Sequence, residues 1–172
     1  MKIRLAKSDD WTAIWPIVGA AFRAGDTYAY APDTGEDEAR RIWLEGPTAT
    51  YVAVDENRIL GTYYIKPNQP GCGDHVCNAG YIVDSSARGR GIGRAMCEHS
   101  LAEAARFGFR AMQYNLVVST NVNAVSLWKE MGFHIVGTLE RAFDHSQLGL
   151  VDAHVMYRML QKDEREGGGQ EQ

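Results

Sequence analysis

Residues Tyr81 to Met96 read YIVDSSARGRGIGRAM, and these residue types at this spacing suit the holding of linked phosphates. An apolar run, Tyr81 to Val83, enters a small polar turn. Gly89, Gly91 and Gly93 then alternate with Arg88, Arg90 and Arg94, and a helical pattern opens at about Gly91. Glycine admits positive φ and lets a ligand approach the main chain with no Cβ in the way. Successive N–H groups at a helix start form a concave anion site, which the helix dipole reinforces. The pattern predicts a diphosphate cradle between a strand and a helix.

Two well-known glycine loops do not fit. A P-loop ends in Gly-Lys-Ser/Thr, with the Lys on the β- and γ-phosphates; here Ile92 and Arg94 follow Gly91 and Gly93. A dinucleotide fingerprint needs G-x-G-x-x-G/A. Its third position falls on Arg94 counted from Gly89, and on Met96 counted from Gly91. An ordinary Gly-rich turn before a surface helix stays open. So does Arg88-x-x-Gly91-x-Gly93, which resembles the pyrophosphate loop of the GCN5-related N-acetyltransferases. In that family an apolar strand ending in Val runs into Arg/Gln-x-x-Gly-x-Gly/Ala at a helix start. Val83 stands five residues before Arg88, as in that pattern.

A second segment carries the same resemblance. In Asn121 to Phe133, NVNAVSLWKEMGF, an Asn opens a helix, Ala124 and the aromatic Trp128 follow, and Gly132-Phe133 close it. The local physics agrees. Thr120 or Asn121 can cap the helix start; Ala124, Leu127, Trp128 and Met131 form one apolar stripe; and Gly132 suits the left-handed residue after a helix end.

The resemblance implies acetyl-coenzyme A as cosubstrate and no metal. Its pyrophosphate would rest on the main chain of Arg88, Gly89, Arg90, Gly91, Ile92, Gly93 and Arg94. Its pantetheine amides would pair with the edge of Ile82 and Val83 like an added strand. Asn121 would bond the same arm, and an N–H of this region would stabilise the oxyanion formed on amine attack. Catalysis of this kind is mostly positioning.

Two roles in that scheme lack their usual residue. Many relatives protonate the leaving thiolate with a Tyr where this chain has Trp128, whose indole is only a hydrogen-bond donor; Trp128 either packs or donates. Many also carry a Glu on the strand before the loop, but HVCNAGYIV has no acid. His75 can serve as base in the physiological range, or be a surface-loop residue. Asn78 and Asn115 sit inside apolar strands, and each needs partners if buried. They either hold the substrate or brace the backbone. The stretches HVCNAG and NLVVSTN are also similar to fungal acetyltransferases acting on the cyclic imino acid azetidine-2-carboxylate, where such asparagines serve recognition and catalysis. That resemblance implies a small amino or imino acid as acceptor. The aromatic loop Tyr28–Tyr30 suggests a lid over the substrate, where a peptide would need an open groove. The readings kept beside it are a protein N-terminal acetyltransferase and a non-catalytic acyl-CoA-binding module. Cys72-x-x-His75-x-Cys77 offers three ligands and no second cluster, too few for a structural zinc site.

These groups need elements to carry them. MKIRLA reads as a strand. Ser8, Asp9 and Asp10 signal a helix start, and Trp11, Ile14, Trp15, Val18 and Phe22 recur at helical spacing. Pro16 is expected to kink or shorten that helix. Gly25 to Thr34 is a loop and Gly35 to Glu45 a polar helix. Thr50–Val54 and Ile59–Ile65 form a hairpin. Lys66 to Asp74 reads as a loop, Val76–Val83 as the strand entering the cradle, Gly91–Phe107 as a long helix and Ala111–Val118 as the next strand. Ile135–Leu139 and Val151–Leu160 close the order. This is an α/β chain with a mixed sheet and helices on both faces. The resemblance sharpens it to a mostly antiparallel sheet of about six or seven strands and about four helices, with Val76–Val83 and Ala111–Val118 splayed apart.

The chain has 172 residues, 45% hydrophobic and 23% charged, with a net charge of −4. One domain over 1–161 is expected, followed by a disordered tail, 162–172. The acidic balance argues against a nucleic-acid partner. Three cysteines and the lack of a signal or membrane-spanning run predict a cytoplasmic protein. Relatives often dimerise, so the resemblance allows a homodimer.

Overall fold

Near-continuous runs of residues buried on both faces lay down β2 to β4 in the first half of the sheet. The computed structural model describes residues 1–160; the expected tail, 162–172, lies outside the described residues. Strands β1 (Lys2–Leu5), β2 (Ala49–Asp55), β3 (Arg58–Pro67) and β4 (Val76–Val83) pair antiparallel in that order. Helix α3 (Ile92–Arg106) carries the chain back to start β5 (Ala111–Val118) beside β4, so this pair is parallel. After α4 (Val122–Glu130), strands β6 (His134–His145) and β7 (Gly149–Met159) form a long hairpin. The sheet order is β1-β2-β3-β4-β5-β7-β6.

Helices cover both faces. On one, α1 (Trp11–Ala24), the short α2 (Glu36–Arg40) and the turn that follows it bury Trp11, Ile14, Phe22, Ala39 and Trp43 against Val52, Tyr64 and Ile82. On the other, Ile92, Met96 and Cys97 of α3 and Trp128 of α4 pack on Tyr63, Met112 and Tyr114. No helix among the described residues is long and apolar enough to cross a membrane.

Three expectations need correction. Pro16 does not shorten α1, which continues to Ala24. The missing N–H costs about 3 kcal/mol, whereas each large apolar side chain on the buried stripe contributes about 1.5–3 kcal/mol. The helix expected over Gly35–Glu45 divides into α2 and one wider turn, Arg41–Glu45. That turn swings Trp43 into the core, where its indole N–H donates to Thr62 Oγ1 at 3.1 Å. The strand expected at Ile135–Leu139 runs on to His145; a register break between Leu139 and Phe143, with Arg141 at φ 52°, hides its alternation.

The central pair opens early. β4 and β5 pair only at Val76–Ala111 and Cys77–Met112 and then part. The expected splay is therefore present, and it opens toward the start of α3.

Candidate active site

Gly91 precedes α3 at φ 74° and Gly89 lies at φ 76°. A Cβ at either would meet nothing within 4 Å, so the demand for glycine is conformational. The first bond of the helix runs from Ala95 N to Gly91 O at 3.1 Å. The N–H groups of Ile92, Gly93 and Arg94 thus have no acceptor within the helix, and no side chain caps them. They form a row of donors at the positive end of the helix dipole. Arg90 pairs with Asp55 at 2.8 Å, and Arg94 pairs with Glu130 of α4. These arginines fasten the loop to its surroundings. Arg88 is exposed and has no ion pair among the described residues.

Ladder alternation divides β4 in two. Asp84 N donates to Leu60 O and Asn68 N to Val76 O, both at 2.8 Å. In this unbroken register the even-numbered residues of β4 bond to β3. Ala79, Tyr81 and Val83 turn their peptide groups to the gap instead. Val83 therefore turns its peptide groups to the gap, and Ile82 does not. Its peptide groups serve β3 and its side chain is buried beneath α1. Tyr81 supplies the second edge residue.

The gap widens into a cavity of about 340 Å³. Tyr28 and Tyr30 line it from the loop after α1, Tyr64 and Lys66 from β3, Asn68 from just beyond that strand, and Asn78 and Asn115 from β4 and β5. Trp128 and Asn121 close the end nearest α4. Among the described residues no lining side chain is a carboxylate, and Lys66 carries the one formal charge.

Asn78 is 8% exposed, and its amide is held from both sides. Nδ2 donates to Gln113 O at 2.9 Å, and Tyr64 Oη donates to Oδ1 at 3.3 Å. Gln113 O is the group that the next β4–β5 rung would use, so this amide marks where the sheet opens. Asn115 is exposed at the mouth. It accepts from Gln113 Nε2 at 2.9 Å and donates to Asn68 Oδ1 at 2.7 Å. Asn121 caps α4, accepting from Ala124 N at 3.2 Å. Tyr28 Oη donates to Tyr81 O at 2.8 Å, which pins the loop after α1 to the free β4 edge. Burial pushes the Tyr28 phenol well above its ordinary range, so it remains a protonated donor. Trp128 packs at 5.0 Å between ring centroids on both Tyr81 and Tyr114. Its indole N–H makes no hydrogen bond among the described residues.

His75 is a correction. It precedes β4 at the end where the strands still pair, is exposed, and offers its carbonyl to Arg110 N at 2.8 Å. It does not line the cavity. The cysteine spacing does not gather either. Cys77 is wholly buried, its thiol pushed up to about 12 by burial, while Cys72 is exposed. Among the described residues no three His, Cys, Asp or Glu side chains gather for a metal. Tyr64, Lys66 and Asn68 were not expected in the site. They alternate along the end of β3 and share one face, and the Lys66–Asn78 register brings them to it.

The start of α3 lies beside Val83, since a Cβ at Gly93 would stand 3.9 Å from its side chain, and Tyr81 on the same strand edge lines the cavity; a family match agrees with this arrangement. Residues 11–133 match the acetyltransferase (GNAT) family, and the chain belongs to that family. Among individual proteins, it is similar to N-acetyltransferase aca1 of Schizosaccharomyces pombe, at 37% identity over 113 residues, 63% of this chain and 53% of that protein. The chain thus spans about half the length of that relative. A GCN5-related N-acetyltransferase from Kribbella flavida superposes with a TM-score of 0.88 at 45% identity, covering 92% of this chain and 96% of that one. A phosphinothricin acetyltransferase from Sinorhizobium meliloti, solved in complex with AcCoA, shares the fold with a TM-score of 0.84 at 20% identity, covering 95% and 90%.

Proposed function

We propose that this chain moves an acetyl group from acetyl-coenzyme A to the amine of a small amino or imino acid, by direct attack in a ternary complex. The observation that carries this reading is a free β4 edge that leads from the uncapped start of α3 into the cavity. The residues fit coenzyme A. Unpaired N–H groups at Ile92, Gly93 and Arg94 suit phosphates, glycines at positive φ keep the loop open, and the edge at Tyr81 and Val83 suits an amide-bearing arm. When bound, acetyl-coenzyme A supplies an activated acyl carbon.

The remaining work falls to the chain. An edge N–H aimed at the gap stabilises developing negative charge on the acyl oxygen. Trp128 walls the thioester end, with its indole N–H free to donate. Asn78 and Asn115 orient the amine with amide oxygens. With no carboxylate lining the cavity, positioning carries the rate rather than a strong base. The imino-acid part of the reading is supported by the resemblance of HVCNAG and NLVVSTN to the azetidine-2-carboxylate enzymes and by the amide-rich cavity.

Thiol release from acetyl-coenzyme A across an amine panel tests this, beside calorimetric titration of coenzyme A. Turnover of small amino or imino acids is expected. Turnover of peptides alone would transfer the assignment to protein N-termini. Coenzyme A uptake without turnover would mark a binding module, and no uptake at all would overturn the reading.

A further inference from the structure

We infer that Lys66 binds the acceptor's carboxylate, so that the enzyme selects amino and imino acids whose carboxyl group is free. This rests on the acetyltransferase reading above and adds the chemical group that the acceptor must carry.

Lys66 stands opposite Asn78 in the β3–β4 ladder and shares a face with Tyr64 and Asn68. It is half-buried and lines the cavity. Among the described residues its ammonium has no ion pair, and its one close partner is the Tyr64 ring, 5.2 Å from Nζ to the centroid. A cation at a pocket wall without a counter-charge is matched by an anionic ligand. Its field also opposes polyamines and lysine side chains, because the cavity offers no carboxylate to offset a second positive charge.

Neutral amides line the same cavity. Gln113, Asn115 and Asn68 form a chain of amide bonds across the mouth. That chain uses one N–H of Asn115 and none of Asn68, leaving further N–H groups on residues that line the cavity with Lys66. A carboxylate accepts several such bonds at once. The free β4 edge at Tyr81 and the wall at Trp128 lie in the same cavity. An α-amino or imino acid carries its amine one carbon from its carboxylate. It therefore fits a site whose anion-binding group and acyl-aligning edge share so small a volume.

The test compares L-proline, azetidine-2-carboxylate and L-alanine with their carboxamides, in the wild type, Lys66→Met and Lys66→Arg. Wild type is expected to favour the acids by at least about tenfold in kcat/KM. Lys66→Met should bring that ratio close to one through KM for the acids, and Lys66→Arg should restore most of it. A ratio that Lys66→Met leaves intact, or a wild-type preference for carboxamides, overturns the assignment. Calorimetric coenzyme A uptake and the melting temperature are followed in each variant. Loss of uptake in the wild type would instead remove the acetyltransferase reading. Uptake without turnover of acid or amide would remove both the acceptor class and the role of Lys66.

Discussion

Gly80 lies directly opposite Tyr64 in the β3–β4 ladder, and a Cβ at position 80 would stand 2.7 Å from the Tyr64 ring. The ring fills the space that a side chain would take, and from there its hydroxyl reaches Asn78. It is braced behind by Trp43, with centroids 4.9 Å apart and planes at 88°, so it has no easy retreat. Gly80→Ala is therefore expected to cost about 1–3 kcal/mol of stability, as overpacked sites do. Urea denaturation measures this, and KM for the acceptor should rise more than KM for acetyl-coenzyme A.

Asn78→Ala removes the amide that takes the last β4–β5 rung. Gln113 O then loses its partner, at a cost of about 1–3 kcal/mol. If the side chain also contacts the acceptor, KM rises or kcat falls while coenzyme A affinity stays intact. Unchanged kinetics beside a lowered melting temperature would assign Asn78 to bracing alone.

Gly91→Ala forces an L-residue into the left-handed region, at a cost of about 1–2 kcal/mol. The loop can escape only by turning its N–H groups away from their common target. Calorimetry should show coenzyme A binding about tenfold weaker. Unaltered affinity would detach the donor row from phosphate recognition.

Trp128→Phe keeps an aromatic between Tyr81 and Tyr114 but removes the free indole N–H. A fall in kcat of less than about tenfold, or ~1.4 kcal/mol, is expected if packing is the main role. A hundredfold fall in steady-state turnover would give the N–H a direct part in thiolate release.

Acidification should destabilise the fold through His99. Its Nδ1 is hydrogen-bonded to Tyr63 Oη at 2.6 Å, and burial, the largest effect, lowers its pKa from 6.5 despite nearby Glu103. The folded chain thus holds this proton more weakly than the unfolded chain does. Below about pH 6.5 the unfolded state binds more protons, so stability falls as pH falls from there toward the folded value. Asp10, whose carboxyl Arg4 holds below its ordinary value, loses its contribution at lower pH, as pH falls through that depressed value. Urea midpoints at pH 7.5 and 5.5 should differ, and His99→Gln should narrow the difference.

Local signals in the chain suffice for strands β1 to β5, for helices α1, α3 and α4 and for the glycine loop, but not for the full length of β6. Period-two and helical alternation, and glycines where φ must be positive, are properties of neighbouring residues. The loop motif and the Asn121 helix were legible for that reason, and with them the family. The cavity is only partly so. Asn78 and Asn115 stood out as amides in apolar strands, whereas Lys66 and Asn68 looked like the start of a loop.

Position in space needed the sheet. Ladder register decides which peptide groups of β4 are free, and it exchanged Ile82 for Tyr81. Strand direction puts His75 at the paired end, away from the cavity, and the splay places Lys66 and the β4 residue Tyr81 on the walls of one cavity. Contacts of this kind join residues far apart in the chain, such as Tyr28 with Tyr81 and Asn68 with Asn115. They form only when the whole sheet closes, so no local pattern encodes them.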